Sequence, residues 1–285
     1  VKSLLLGGGG FIGKALIPFL SLHLDLTVAT SQKLLEVPPG VRKVHCVAGD
    51  YRDLELRLNF SEFDRVIDCS WEGLPDLGSL MNAKNLTSKL ELIRFLIDKG
   101  VSEYNGFGSC LEYGSLSGVV DESMTGVGVD DFGQTKLKVL ETLEESGMAY
   151  RWFRPFYLVG SQQHPNSLFN SIYQATVEGF DFSPRSKPST SFDFLEITDF
   201  ARGVSLAIQS NSVWGVTNLG SGEPHSIEEI INQFRLRFGL ELKVAVRSEA
   251  MYASTKKLSD STGWSPSFDL SQMVSRFIEQ KEGVR

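Results

Sequence analysis

The run Gly7-Gly8-Gly9-Gly10-Phe11-Ile12-Gly13, arriving directly after the apolar stretch Ser3 to Leu6, limits the fold of this chain more than any other feature. Glycines at positions 7, 10 and 13 have the spacing of a tight strand-to-helix turn. The first makes the turn, the second lets a pyrophosphate approach the backbone, and the third brings the helix close to the strand. The helix N-terminus then offers free N–H groups and the positive end of its dipole to the phosphates. A merely flexible glycine run is the bland alternative, and the strand before it and helical pattern after it argue against that. Gly7, Gly10, Phe11, Ile12 and Gly13 are therefore the first candidates for contact with a dinucleotide.

The same architecture is written further along the chain. Apolar runs at Ser3–Leu6, Leu26–Ala29, Val44–Val47, Val66–Cys69, Tyr104–Phe107 and Tyr150–Phe153 alternate with longer helical patterns. Such alternation predicts βαβ crossovers and a parallel sheet buried on both faces, so the expected class is α/β with a doubly wound sheet. The longest helical segment, Ser79 to Lys99, places Leu86, Leu90, Ile93 and Ile97 at helical spacing and stops at Gly100. After about residue 155 the texture changes, with Pro165, Pro184, Pro188 and a polar stretch Ser183 to Ser191 that reads as a loop over a site. The expected division is a dinucleotide-binding domain over 1–155 and a smaller mixed, substrate-binding part over 156–285.

Bulk properties exclude several roles. With 28 Lys+Arg against 35 Asp+Glu the net charge is −7, which leaves no basic surplus for a nucleic-acid backbone or an anionic membrane. Cys46, Cys69 and Cys110 lack CxxC or Cys/His zinc spacing and read as reduced thiols of a cytoplasmic protein. His164 and His225 sit in loop-like sequence without ligand spacing, so no metal is expected. The apolar start runs straight into glycines and makes a poor signal peptide, and no stretch approaches the ~20 apolar residues that span a bilayer.

The second strand ends Ala29-Thr30-Ser31-Gln32-Lys33, where a carboxylate would mark NAD by holding the ribose hydroxyls. Hydroxyls and an ammonium suit a 2′-phosphate instead, so Thr30, Ser31 and Lys33 favour NADP(H) over NAD(H), unless Lys33 is simply a solvated loop residue. Gly49-Asp50-Tyr51-Arg52-Asp53 follows the third strand; Asp50 and Tyr51 are expected at the cofactor, and Asp53 as a plain helix N-cap. Trp71, after the fourth strand, is either a substrate-side contact or a core aromatic.

Taken in order, further segments extend the pattern: the helix around Asn85, Gly108-Ser109-Cys110-Leu111-Glu112-Tyr113-Gly114, Phe132-Gly133-Gln134-Thr135-Lys136, Arg154-Pro155, Asp193-Phe194-Leu195 with Asp199, Asn218-Leu219-Gly220-Ser221-Gly222 and Gly263-Trp264-Ser265-Pro266. With the glycine turn they resemble the extended short-chain dehydrogenase/reductase family over nearly the whole chain, particularly its nucleotide-sugar epimerases, dehydratases and 4-ketoreductases. The resemblance implies a nucleotide-diphosphate sugar as ligand and admits a homodimer. It places an assisting hydroxyl on Ser109 and a catalytic Tyr-x-x-x-Lys pair on positions 132 and 136. One helical turn sets those two side chains on one face, where the lysine binds the nicotinamide ribose and lowers the pKa of the phenol.

Lys136 is present, but the tyrosine position holds Phe132. Phenylalanine keeps the ring and loses the titratable oxygen, and general acid–base work of this kind is worth roughly 10²–10⁴-fold in rate. Three readings stay open: a deliberate tyrosine-to-phenylalanine variant, a natural protein using Tyr113, Ser109 or a water instead, or a nucleotide- and cofactor-binding protein without catalysis. Tyr252 and Lys256 repeat the Tyr-x-x-x-Lys spacing, but near the C-terminus and far from the glycine turn in the expected architecture. The family's dehydratases carry Asp-Glu where this chain has Cys110-Leu111, which disfavours dehydration. Glu112, offset by one position, is a pocket candidate, although a glutamate at a strand end is more often solvated. An arginine common before the family's Asp-Phe pair is replaced by Phe192, leaving Arg154 and Arg185, with Lys187, for the substrate diphosphate.

Overall fold

The computed structural model describes residues 1–47 and 50–283, so Gly49 of the motif above lies outside the described residues. In chain order the elements are β1 (Lys2–Leu6), α1 (Phe11–Leu20), β2 (Asp25–Thr30), β3 (Arg42–His45), α2 (Tyr51–Glu55), β4 (Arg65–Asp68), α3 (Met81–Asp98), β5 (Glu103–Phe107), β6 (Gly118–Val120), α4 (Asp131–Ser146) and β7 (Ala149–Pro155). They continue with β8 (Tyr157–Val159), α5 (Leu168–Val177), β9 (Ser191–Glu196), α6 (Ile197–Gln209), β10 (Gly215–Leu219), β11 (Pro224–Ser226), α7 (Ile227–Arg237), β12 (Met251–Ala253), α8 (Lys256–Thr262) and α9 (Leu270–Glu282).

Seven strands form one sheet in the order β10-β7-β5-β4-β1-β2-β3, every pair parallel. The order reverses beside β1, which puts the crevice for a ligand at the carboxyl ends of β1 and β4. Both faces are covered, as the continuous burial of β4 and β5 demands. On one face Leu16, Ile17 and Leu20 of α1 pack with Phe200, Ala201 and Val204 of α6. On the other, Leu92, Ile93 and Leu96 of α3 pack with Val139, Leu140 and Leu143 of α4.

A second core gathers β8, β9, α5, α7 and α9 around Phe169, Phe194, Phe234 and Phe277. Its sheet, β11-β9-β8, is mixed, with β11 antiparallel and β8 parallel to β9. The chain after residue 155 also returns to the large sheet, since β10 pairs with β7 and α6 packs on α1. Two motif segments prove to be braces. The Asp193 carboxylate, fully buried, accepts from Ser221 N and Oγ, Gly222 N and Ala253 N, tying β9 to the turn after β10 and to β12. Asp199 accepts from Ser267 N and Phe268 N, and its carbonyl takes the Trp264 indole N–H, which fixes the C-terminal helices to α6.

α3 differs from its sequence reading. Its buried face carries Asn82, Asn85, Lys89, Leu92, Ile93 and Leu96, while Ile97 is exposed. The three polar residues are buried because each has a partner: Asn82 donates to Leu77 O, Asn85 exchanges bonds with the Glu72 backbone, and Lys89 meets Asp68.

Candidate active site

The glycine turn is built for close approach. Gly7 has φ +75°, and a Cβ there would sit 2.8 Å from the Cys69 carbonyl carbon. A Cβ on Gly13 would lie 2.4 Å from Gly7 O, so α1 can rest on the turn only with glycine there. Gly10 caps α1 with no side chain in the way, leaving the N-terminal N–H groups facing the crevice.

Two cavities flank this turn. The smaller, of about 240 Å³, is lined by Gly7, Gly9, Gly10, Thr30, Ser31, Gln32, Asp50, Tyr51 and, deeper in, Asn85 and Lys89. The larger, of about 600 Å³, is lined by Gly10, Phe11, Ile12, Ser70, Trp71, Lys89, Ser109, Phe132 and Lys136, and extends to Tyr157, Gln163, His164 and Ser167. Gly10, Cys69, Ser70, Trp71 and Lys89 belong to both, so the two spaces form one crevice along the strand ends. That shape, with a bare helix N-terminus at its middle, fits a dinucleotide laid across the turn. The Trp71 indole N–H points the same way: it is buried without an acceptor among the described residues.

α4 carries the broken pair. Asp130 caps it, accepting from Gly133 N at 2.6 Å, and Phe132 and Lys136 follow one turn apart on the buried face. The Lys136 ammonium donates to Phe107 O at 2.7 Å. It lies 3.4 Å from the centre of the Trp71 ring and 5.3 Å from that of Phe132. Burial in this aromatic cage, with the charge of Lys89 nearby, brings its pKa down to about 7. Ser109 stands at the cavity wall where β5 ends, and its Oγ accepts from Leu111 N at 3.2 Å.

A polar network missed by the sequence reading forms the floor. Asp68 Oδ2 accepts from Lys89 at 2.5 Å and from the Tyr104 hydroxyl at 2.7 Å. Asp68 Oδ1 accepts from Ser70, whose Oγ also receives a bond from Lys89 at 2.7 Å. Burial works to raise the Asp68 pKa, but Lys89 and the hydrogen bonds carry it below the ordinary value. Burial and Asp68 push the Tyr104 phenol well above its usual range. The available signal was Asn82, Asn85 and Lys89 at helical spacing on a face that otherwise reads as core.

Several expectations need correction. Glu112 is neither solvated nor in the cavity: it is fully buried behind Ser109 and paired with Arg154 Nε at 2.7 Å. It also accepts from Trp152 Nε1 and from Ser109 N, and burial raises its pKa although Arg154 opposes the shift. Arg154 is spent on that pair and on the Tyr113 ring, 4.4 Å away, so it does not reach the cavity. Tyr113 is fully buried and donates to Asn218 Oδ1 at 2.8 Å, which removes it as a substitute for the missing phenol. Arg185 and Lys187 are exposed, and residues 183–191 do not line the cavity, so that loop does not cover the site. Among the described residues no arginine lines either cavity.

At the smaller cavity the helix cap falls to Asp50 rather than to Asp53. Asp50 caps α2, accepting from Arg52 N and Asp53 N, although it also lines the smaller cavity. Asp53 accepts from Val47 N and pairs with Arg57. Tyr51 lines that cavity with its hydroxyl toward Glu91. Thr30 and Ser31 line it too, the Thr30 hydroxyl accepting from Gln32 N, whereas Lys33 is exposed just beyond. Tyr252 lies on β12 and Lys256 pairs with Asp260 on the surface, away from both cavities.

Comparison with known proteins agrees with this geometry. Residues 3–220 match the model of the NAD dependent epimerase/dehydratase family. The UDP-glucose 4-epimerase of Neisseria meningitidis serogroup C is 28% identical, the alignment covering 96% of this chain and 95% of that protein. The dTDP-6-deoxy-L-talose 4-dehydrogenase (NAD(+)) of Aggregatibacter actinomycetemcomitans is 22% identical over 164 residues, 56% of this chain and 60% of that enzyme. Among solved structures, UDP-glucuronic acid 4-epimerase from Bacillus cereus, in complex with UDP-glucuronic acid and NAD, superposes with a TM-score of 0.81 at 19% identity, covering 99% of each chain. The Thermotoga maritima UDP-glucose 4-epimerase with UDP-glucose also reaches 0.81, at 17% identity, covering 99% of this chain and 100% of that one.

Proposed function

The chain belongs to the NAD-dependent epimerase/dehydratase family, and from that premise we propose an NADP(H)-linked reductase or epimerase that acts on a nucleotide-diphosphate sugar in the cytoplasm. The observation that carries this reading is the continuous crevice joining the glycine turn to Ser109 and Lys136. The nicotinamide, when bound, would supply a hydride to a sugar carbonyl carbon or take one from the corresponding carbinol carbon. Gly7 to Gly13 hold the pyrophosphate, Lys136 meets the ribose beside the nicotinamide, and Ser109 donates to the sugar oxygen. With no arginine among the described residues of the cavity, the substrate diphosphate falls to the N-terminal turn of α5, which has no side-chain cap, and to His164 beside it.

The second reading is a nucleotide-binding protein with impaired catalysis. Phe132, packed edge-on against Trp71 over Lys136, is the observation that favours it.

Cofactor choice is tested by fluorescence titration of both reduced dinucleotides. No carboxylate stands at residues 30–33 to repel a 2′-phosphate, and Lys33 is within that short segment. NADPH is expected to bind more tightly than NADH. Lys33→Ala should weaken NADPH by about 2–5-fold, the worth of one exposed charge contact, and leave NADH unchanged. Equal affinities, or tighter NADH, would overturn the NADP(H) assignment.

A further inference from the structure

The missing phenol leaves the sugar oxygen without its usual proton donor, and the cavity can be searched for a replacement. Tyr104 spends its proton on Asp68 and is buried. Tyr157 packs its ring on Phe192 and Phe194, and burial raises its pKa. Cys110 is pushed up to about 12 by burial. His164 is exposed and accepts from Asn166 N, closing a local turn. Lys136 remains. Its side chain lines the cavity, is anchored through a single carbonyl, and has two faces covered by rings that accept no proton.

We propose that in this chain Lys136 is itself the proton-transferring catalytic residue, its ammonium protonating the substrate oxygen directly. The inference rests on the reductase or epimerase reading of the site. In the reducing direction the carbonyl carbon would gain a hydride, whose electron pair comes from the C4–H bond of the dihydronicotinamide and leaves that ring oxidised, while the π pair moves to the carbonyl oxygen, which takes a proton from Lys136 Nζ. The N–H bond that breaks leaves a neutral amine, which regains its proton from water.

The surroundings of Lys136 suit it to that exchange. Lys89 reaches toward it from α3 and disfavours its charge. Asp68 and Cys69 at the end of β4 and Glu112 in the turn after β5 favour the charge, but desolvation outweighs them. An amine with a pKa of about 7 both gives and recovers a proton at neutral pH. The sign is fixed: reduction needs the ammonium, so kcat/KM holds at lower pH and falls as pH rises through about 7.

The experiment has two arms on the full chain. The first needs no turnover: lysine labelled at Cε with carbon-13 is titrated by NMR in the cofactor-free protein. The Lys136 signal is identified by its loss in Lys136→Arg, or in Lys136→Met where the arginine variant does not fold. A midpoint near 7 is expected; a midpoint close to the ordinary ~10.4 of lysine overturns the inference. The second arm compares carbonyl reduction by the unsubstituted chain and by Lys136→Arg, whose guanidinium still donates to ribose but holds its proton. Turnover should fall at least ~10²-fold while dinucleotide affinity changes less than about tenfold. Arginine that preserves turnover overturns the inference and leaves the functional reading intact. An unsubstituted chain that binds dinucleotide and turns over nothing in a panel of nucleotide-sugars overturns both.

Discussion

Glu112→Ala is expected to lower the free energy of unfolding by about 3–5 kcal/mol, the cost of leaving one partner of a buried ion pair uncompensated. Arg154, 3% exposed, would keep its charge beside the neutral Tyr113 side chain with no carboxylate paired to it among the described residues. The Trp152 indole N–H and the Ser109 N–H would lose their acceptor in the same step. Local space confirms how closely the carboxylate is fitted, since a Cβ on Gly108 would lie 2.0 Å from Glu112 Oε1. Denaturant unfolding of the single variant and of Glu112→Ala with Arg154→Met separates charge from packing. The double variant should recover the part of the loss that comes from the stranded charge, while the Trp152 and Ser109 N–H groups stay without their acceptor. A single variant within about 1 kcal/mol of the parent would show that the ion pair contributes little to stability.

Phe132→Tyr is the substitution expected to change rate most. It sets a phenol one helical turn from Lys136 on the wall that also carries Ser109. A positioned acid contributes about 10²–10⁴-fold, but Lys136 already meets part of that need, so the expected gain in reduction of nucleotide-4-ketosugars is about 10–10²-fold. The pH dependence should change with it, because the phenol replaces the Lys136 ammonium as the proton donor. Steady-state rates across a panel of substrates provide the check. No gain on any of them, with dinucleotide binding retained, would mean that the pocket has diverged beyond position 132, and the non-catalytic reading would then be the better one.

Much of this architecture is legible in the chain because backbone demands leave residue signatures. The predicted strands overlap β1, β2, β3, β4, β5 and β7, since a parallel sheet covered on both faces needs near-continuous apolar runs. The glycine turn is equally plain, because Gly7 and Gly13 have no room for a Cβ. What stayed hidden depends on pairing at a distance. Glu112 and Arg154 are 42 residues apart, and nothing local marks either as the other's partner. Lys89 lies on a helix face that otherwise reads as core, but its partners Asp68 and Ser70 are 21 and 19 residues away and nothing local marks them. The same network turned the buried face of α3 away from the stripe that hydrophobicity alone suggested. The return of β10 to the large sheet was also unmarked, as a five-residue strand carries no sign of which sheet it joins.

The central claim is that this crevice transfers hydride between a nicotinamide and a sugar carbon despite Phe132. It is tested most directly by incubating the unsubstituted chain with NADPH deuterated at nicotinamide C4 on the transferred face and a panel of nucleotide-4-ketosugars, then reading the products by mass spectrometry. The account predicts one deuterium on the former carbonyl carbon of at least one product, with loss of that label in Lys136→Arg. Tight dinucleotide binding with no deuterium in any product would contradict it.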